Sequence, residues 1–130
     1  KGDSSEMVSA RETFLSLGHF APFVEAVTGA VQDALDANEL PETAEPMLLE
    51  VGAGTGYYLA HTLDSIAEAR GVGLDISPHA AKHLAKCHPR VGAVVADAWE
   101  RLPLQDDSID AVSVVFAPRN PAEFQRISRR

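Results

Sequence analysis

The chain predicts an α/β fold built on a parallel sheet, and three observations carry that expectation. From Met47 onward, short apolar runs alternate with stretches of helical spacing. The runs end in acids or glycines, at Glu50-Val51-Gly52, Asp75 and Asp97. After the first run three glycines fall at every second position, Gly52, Gly54 and Gly56. Strands that alternate with helices in one sheet run parallel and are joined by right-handed crossovers.

In chain order, a first helix is expected from about Ser5, carrying Met7, Val8, Phe14, Leu15 and Leu17, and broken near Gly18. A second follows Pro22, with Phe23, Val24, Val27, Val31 and Leu35 at three-to-four spacing, the pattern of a helix packed on a core. Pro41 to Pro46 reads as a polar connector. Residues 1–45 thus form a helical segment and 46–130 an incomplete Rossmann-like domain.

The first strand is Met47–Val51, apolar enough for burial on both faces. A helix is expected from about Gly56 to Ala69, with Leu59, Leu63 and Ile66 on one face. Gly71–Ile76 is the second strand. Ser77 caps the next helix and Pro78 takes its first position, where a missing N–H costs nothing. That helix ends before Pro89. Val91–Ala96 is the third strand, Ile109–Phe116 the fourth, and Pro121–Arg130 begins another helix. A sheet of this kind needs further strands beyond the fourth. The apolar Ile109–Phe116 strand is therefore expected at an edge that asks for a cover, from missing C-terminal strands or from a second copy in a homodimer.

Composition narrows the class. Hydrophobic residues make up 45% and charged residues 23%, as in ordinary globular proteins. The single cysteine, Cys87, excludes a disulfide framework within this sequence, and a reducing cytoplasm is the expected compartment. No apolar run approaches membrane-spanning length. A net charge of −8 argues against a dedicated nucleic-acid surface on this segment, because phosphate contacts need Lys and Arg.

The spacing Glu50-x-Gly52-x-Gly54-x-Gly56 departs from G-x-G-x-x-G, since Tyr57 stands where that pattern wants its third glycine. It resembles the first motif of class I S-adenosylmethionine (SAM) methyltransferases. A different nucleotide fold, or a plain glycine-rich turn, would also place glycines here. Strand tips in such sheets converge on the ligand. The Gly52–Gly56 turn would then lie against the methionine part of SAM, with unpaired helix N–H groups aimed at the ligand. Glu50 would meet its ammonium group. Asp75, with Ile76 beside it, would hold the ribose hydroxyls. Asp97 and the Ala98 N–H would meet adenine, and Ala117-Pro118 would face the methyl acceptor. Plainer readings stand beside these: Glu50 as a loop-facing acid, Asp75 as a cap before Ser77, and Asp97 as a cap of the turn toward Trp99.

Five histidines complete the inventory. His79 and His83 share a helix face with His88 nearby, a pattern of solvated histidines, and no metal site is expected. His61 stands apart. His19 lies between two helices, in a loop able to fold over a cofactor or simply to pack.

Met7 to Pro22 resembles the segment that precedes the catalytic domain in the 23S rRNA (guanine-N1)-methyltransferases, a family with housekeeping and macrolide-resistance members. The resemblance continues through Glu50–Tyr58, Gly73–Ser77, Ala96–Ala98, Arg101–Pro103 and Phe116–Pro118. It implies SAM-dependent methylation of N1 of a guanine in a large-subunit rRNA hairpin. It assigns SAM contacts to His19, Phe20, Gly52, Gly54, Asp75, Asp97 and Ala98. Family members carry an N-terminal four-cysteine zinc module, so zinc would belong only to such a module outside this sequence. RNA recognition would likewise rest on parts outside it. A methyltransferase of a small molecule or a protein, and a non-catalytic SAM-binding module, are the competing readings.

Overall fold

The computed structural model describes residues 21–37, 45–114 and 120–129. The expected first helix, His19 and Phe20, most of the Pro41–Pro46 connector, and Val115 to Arg119 with Ala117 and Pro118 lie outside the described residues.

Among the described residues four parallel strands form the sheet: β1 (Met47–Val51), β2 (Arg70–Asp75), β3 (Val91–Val95) and β4 (Ala111–Val114). Their order is β3-β2-β1-β4, so β1 is central and β4 lies at an edge, where the sequence placed the fourth strand. Among the described residues four helices accompany them: α1 (Ala21–Ala37), α2 (Tyr57–Ser65), α3 (Pro78–Leu84) and α4 (Pro121–Ile127).

Alternation along β1 sorts the two faces. Leu48 joins Val31 and Leu35 of α1 and Leu59 and Leu63 of α2 in one buried cluster. Leu49 and Val51 join Leu74, Ala98, Leu102, Ile109 and Ile127 in the other. Helix α1 therefore shares its core with the sheet. Helix α3 presses Leu84 against β2, where an added Cβ at Gly73 would sit 2.5 Å from the Leu84 Cδ1.

Two elements are shorter than the sequence suggests. Helix α2 stops at Ser65 rather than near Ala69. The cause lies beyond the next strand: the Arg90 guanidinium donates to the carbonyls of Leu63, Ile66, Ala67 and Ala69 at 2.5–3.1 Å. One cation thus gathers the carbonyls that a continuing helix would have bonded internally. Arg90→Met is expected to cost about 3 kcal/mol, because several half-buried carbonyls lose a charged donor, and Arg90→Lys should restore only part of it. Urea unfolding of the three proteins measures this, and equal midpoints would remove Arg90 from the list of fold determinants.

The fourth strand begins at Ala111, not Ile109. Ile109 instead bridges to Ser128 after α4. Asp110 turns its carboxylate back on the start of β1, where Oδ2 accepts from the Met47 N–H at 2.7 Å and Oδ1 meets Arg129 at 3.0 Å. Helix α4 is fixed by a second cation: Arg126 reaches the Leu102 and Leu104 carbonyls, Asp106 and Glu123, while Glu123 also accepts from the Leu102 N–H. That arginine holds the Glu123 carboxyl down at about 2.

Candidate functional site

The carboxyl ends of β1, β2 and β3 lie side by side, with Val51 opposite Leu74 and Asp75 opposite Val95. The Ala96 N–H donates to the Asp75 carbonyl at 3.1 Å and carries the alignment one residue further. From β1 the chain moves outward through β2 to β3, then returns to the other side of β1 as β4. The crevice at such a reversal is where parallel sheets take their ligands.

The Gly52–Gly56 turn leaves β1 with three glycines in the left-handed region, at φ of 70°, 60° and 90°. The curl folds the turn onto the end of β2. The Gly52 and Ala53 N–H groups both donate to the Leu74 carbonyl, at 2.8 and 3.0 Å. The Gly54 N–H donates to Asp75 Oδ2 at 2.9 Å, and the Gly56 N–H to the Ala53 carbonyl at 3.0 Å. Within the turn itself, four of the donors already have protein partners, whereas the expectation of unpaired amides concerns the opening of the helix that follows. The left-handed curl brings three of these amides against β2 and folds the fourth, that of Gly56, back on Ala53. What the turn offers is bare backbone at close range. A phosphate-binding loop needs its amides for the anion, so this turn suits a ligand without phosphates.

Gly56 is the tightest point. It precedes Tyr57 at the start of α2, and no side chain caps the helix there. A Cβ on Gly56 would lie 2.5 Å from the Cys87 Sγ and 2.8 Å from the Leu84 Cδ1. The segment after α3 therefore sets how deeply the turn can sit.

Glu50 faces the same side of the sheet as Leu48, between Gly73 of β2 and Ser113 of β4 in register. It is 2% exposed, and its Oε2 has no hydrogen-bond partner. Burial pushes its carboxyl up to about 8. A buried polar atom left unmatched is costly and rare, and it asks for a reason. The reading of Glu50 as a loop-facing acid does not survive its depth.

Asp75 is held by two amides: Oδ2 accepts from Gly54 and Oδ1 from Ser77, both at 2.9 Å. It is thus more than a cap before Ser77, because it also fastens the glycine turn. Each oxygen keeps a further lone pair for a hydroxyl donor. Ser77 caps α3 through the Ala80 N–H, as the sequence indicated. Ile76, next along, is 39% exposed. Asp97 caps its own turn, accepting the Trp99 N–H at 2.9 Å. Ala98 is buried, and its carbonyl accepts from Asn120. The structure therefore brings together Glu50, Gly52, Gly54, Gly56, Asp75, Ile76, Asp97 and Ala98 around one end of the sheet.

Trp99 was read from sequence only as the far side of a turn, yet it is an exposed aromatic beside this end. Its sole signal was a tryptophan two residues beyond a strand tip. The histidines divide differently. His61 joins Glu25 of α1 at 2.9 Å and Thr28 at 3.0 Å, tying α1 to α2. His88 joins Asp64 and accepts the Arg90 N–H. Among the described residues no three His, Cys, Asp or Glu gather as a metal-binding group.

Known proteins resemble this chain. Two curated relatives align with 98% of the chain. A 23S rRNA (guanine(748)-N(1))-methyltransferase of Streptomyces fradiae is 40% identical over 127 residues, and a provisionally named 23S rRNA (guanine-N(1)-)-methyltransferase of Micromonospora griseorubida is 43% identical over 135. The chain spans less than half the length of these relatives, 44% and 46%. A provisionally named SAM-dependent methyltransferase from Methanococcus maripaludis superposes with a TM-score of 0.75, at 16% identity, over 97% of this chain and 59% of that one. At that identity the likeness shows the fold alone, which is Rossmann-like and of the class I methyltransferase type. A family model described as a methyltransferase domain matches residues 48–129, all but the first residue of the sheet and everything packed after it, and the chain belongs to that methyltransferase family.

Proposed function

We propose that this chain is the SAM-holding part of a methyltransferase that acts on N1 of a guanine in 23S rRNA. The observation that carries the cofactor reading is Glu50: a buried carboxyl with an unmatched oxygen, beside a turn of bare backbone, at the point where strand order reverses. An α-amino acid ligand supplies the ammonium that such an oxygen lacks. The residues present fit SAM on that test. The nucleobase reading rests on the two relatives, whose names state 23S rRNA guanine-N(1) methylation.

SAM brings a methyl group already activated by its sulfonium, so the protein's task is placement. In this reading Glu50 anchors the ammonium and the Gly52–Gly56 backbone lies along the methionine chain. Asp75, steadied by two amides, takes the ribose hydroxyls. Ile76 covers adenine on one side, with Asp97 and Ala98 at its edge. His19 and Phe20 would close over the cofactor, and Ala117-Pro118 would meet the base. The net charge of −8 leaves RNA phosphates to be met by other parts of the protein. The homodimer and a cytoplasmic location remain part of the proposal, as does a resistance role. Among the described residues no helix is long and apolar enough to cross a membrane.

Labelled methyl transfer from SAM to 23S rRNA by the full-length protein tests the substrate. Transfer to small molecules or protein alone would refute it. That second outcome has a specific precedent, since a malonyl-[acyl-carrier protein] O-methyltransferase of Dechloromonas aromatica matches 57% of the chain at 39% identity. Asp75→Ala tests the cofactor site separately. Loss of charged hydrogen bonds worth about 2 kcal/mol should weaken S-adenosylhomocysteine roughly thirtyfold by calorimetry, and unchanged affinity would end the ribose assignment.

A further inference from the structure

We infer that Glu50 is a neutral acid in the empty site and releases its proton to solvent when the cationic amino group of the cofactor arrives, so that cofactor capture is coupled to proton release. The inference rests on the SAM reading given above and adds a proton to it.

The geometry leaves the empty carboxylate without support. Glu50 is 2% exposed, its Oε2 has no partner, and its register neighbours Gly73 and Ser113 carry no charge. Among the described residues, the surrounding elements supply no cation to it. From α1, Glu25 is engaged by His61 of α2. Tyr57 and Tyr58 of α2 pack edge-to-face on each other. Asp75 at the end of β2 is itself an acid and is held by amides. On α3, Lys82 and His83 are exposed. An ionised carboxylate in such a place is costly, and protonation is the cheaper state. Burial alone accounts for the raised affinity for the proton, with no opposing positive charge.

The incoming ligand inverts this. An ammonium beside Oε2 favours the charged acid. The carboxyl O–H bond breaks, its proton leaves to buffer, and the ammonium keeps all of its own protons. The product is an ion pair inside the protein, with charge conserved by the released proton. Below the acid's own titration range, each step of one in pH should then change apparent affinity about tenfold.

Titration calorimetry of the purified protein with S-adenosylhomocysteine, in phosphate and in Tris at pH 7, reads the proton directly. The expected result is a binding enthalpy that differs between buffers by the equivalent of about 0.9 proton released, with Kd falling about tenfold from pH 6 to pH 7. Glu50→Gln should abolish both effects, giving equal enthalpies and a flat Kd over that range. Buffer-independent enthalpy in the unaltered protein, with binding intact, would overturn the proton coupling and leave the SAM site standing. A buffer effect that persists undiminished in Glu50→Gln would overturn it too, since the proton would come from another group. Absence of S-adenosylhomocysteine binding at every pH would overturn the SAM reading and this inference together.

Discussion

Glu50→Gln is expected to stabilise the ligand-free protein, and to do so more strongly as pH rises. The folded carboxyl titrates at about 8, against 4.5 for an unburied one. Between those values the folded state binds more protons than the unfolded chain, so stability falls as pH increases. The contribution is fully present below 4.5 and is lost as pH rises through about 8. Each step of one in pH costs about 1.4 kcal/mol, and the whole span is worth on the order of 5 kcal/mol as an upper bound. Glutamine has the same shape and never ionises. The difference in unfolding free energy between the variant and the native protein should therefore climb with a slope of about 1.4 kcal/mol per pH step from pH 5.5 to 7.5, then flatten above 8. Titrating histidines cancel in that difference because both proteins carry them. Urea unfolding at four or five pH values gives the curve. A flat difference would mean that Glu50 is already compensated in the folded state. The same substitution should weaken S-adenosylhomocysteine. A residue whose removal steadies the fold and harms the site is held there for the site, which is the usual sense of a strained functional group.

This also explains what was legible before any coordinates. Strand periodicity, the acid near each strand tip and the glycine spacing are local signals, and they placed β1, β2, β3, α1, α3 and the glycine turn. The cap at Ser77 and Pro78 is equally local, and it appears as read. What failed to show in the sequence depends on partners far along the chain. Arg90 ends α2 by reaching back 21–27 positions to four carbonyls. Asp110 looked like part of an apolar strand, but its carboxylate serves Met47, 63 positions earlier. Three amides of the glycine turn find their partners on β2, which lies beside them only once the sheet has formed. Glu50 could be placed by its motif, yet its unmatched oxygen is a property of depth, which periodicity does not report.

Gly56→Ala should be the most damaging single methyl group in the site, at about 3 kcal/mol. Two independent costs combine. At φ of 90° an L side chain is strained, by about 1–2 kcal/mol. The added Cβ would also stand 2.5 Å from the Cys87 Sγ and 2.9 Å from its Cβ, so the segment after α3 must retreat, at about 1–3 kcal/mol. The two costs separate in a double-mutant cycle with Cys87→Gly. Removing the sulfur and Cβ relieves the crowding and leaves the backbone strain, so the pair should couple favourably by about 1 kcal/mol. Leu84, whose Cδ1 would be 2.8 Å away, can rotate and so should contribute less to that coupling. Affinity for S-adenosylhomocysteine should follow the same order, lowest in Gly56→Ala and partly regained in the double variant, because the turn's depth sets where the ligand can lie. If Gly56→Ala unfolds with the native midpoint, or if Cys87→Gly brings no recovery, the close approach of α2, α3 and the turn is not what positions the site.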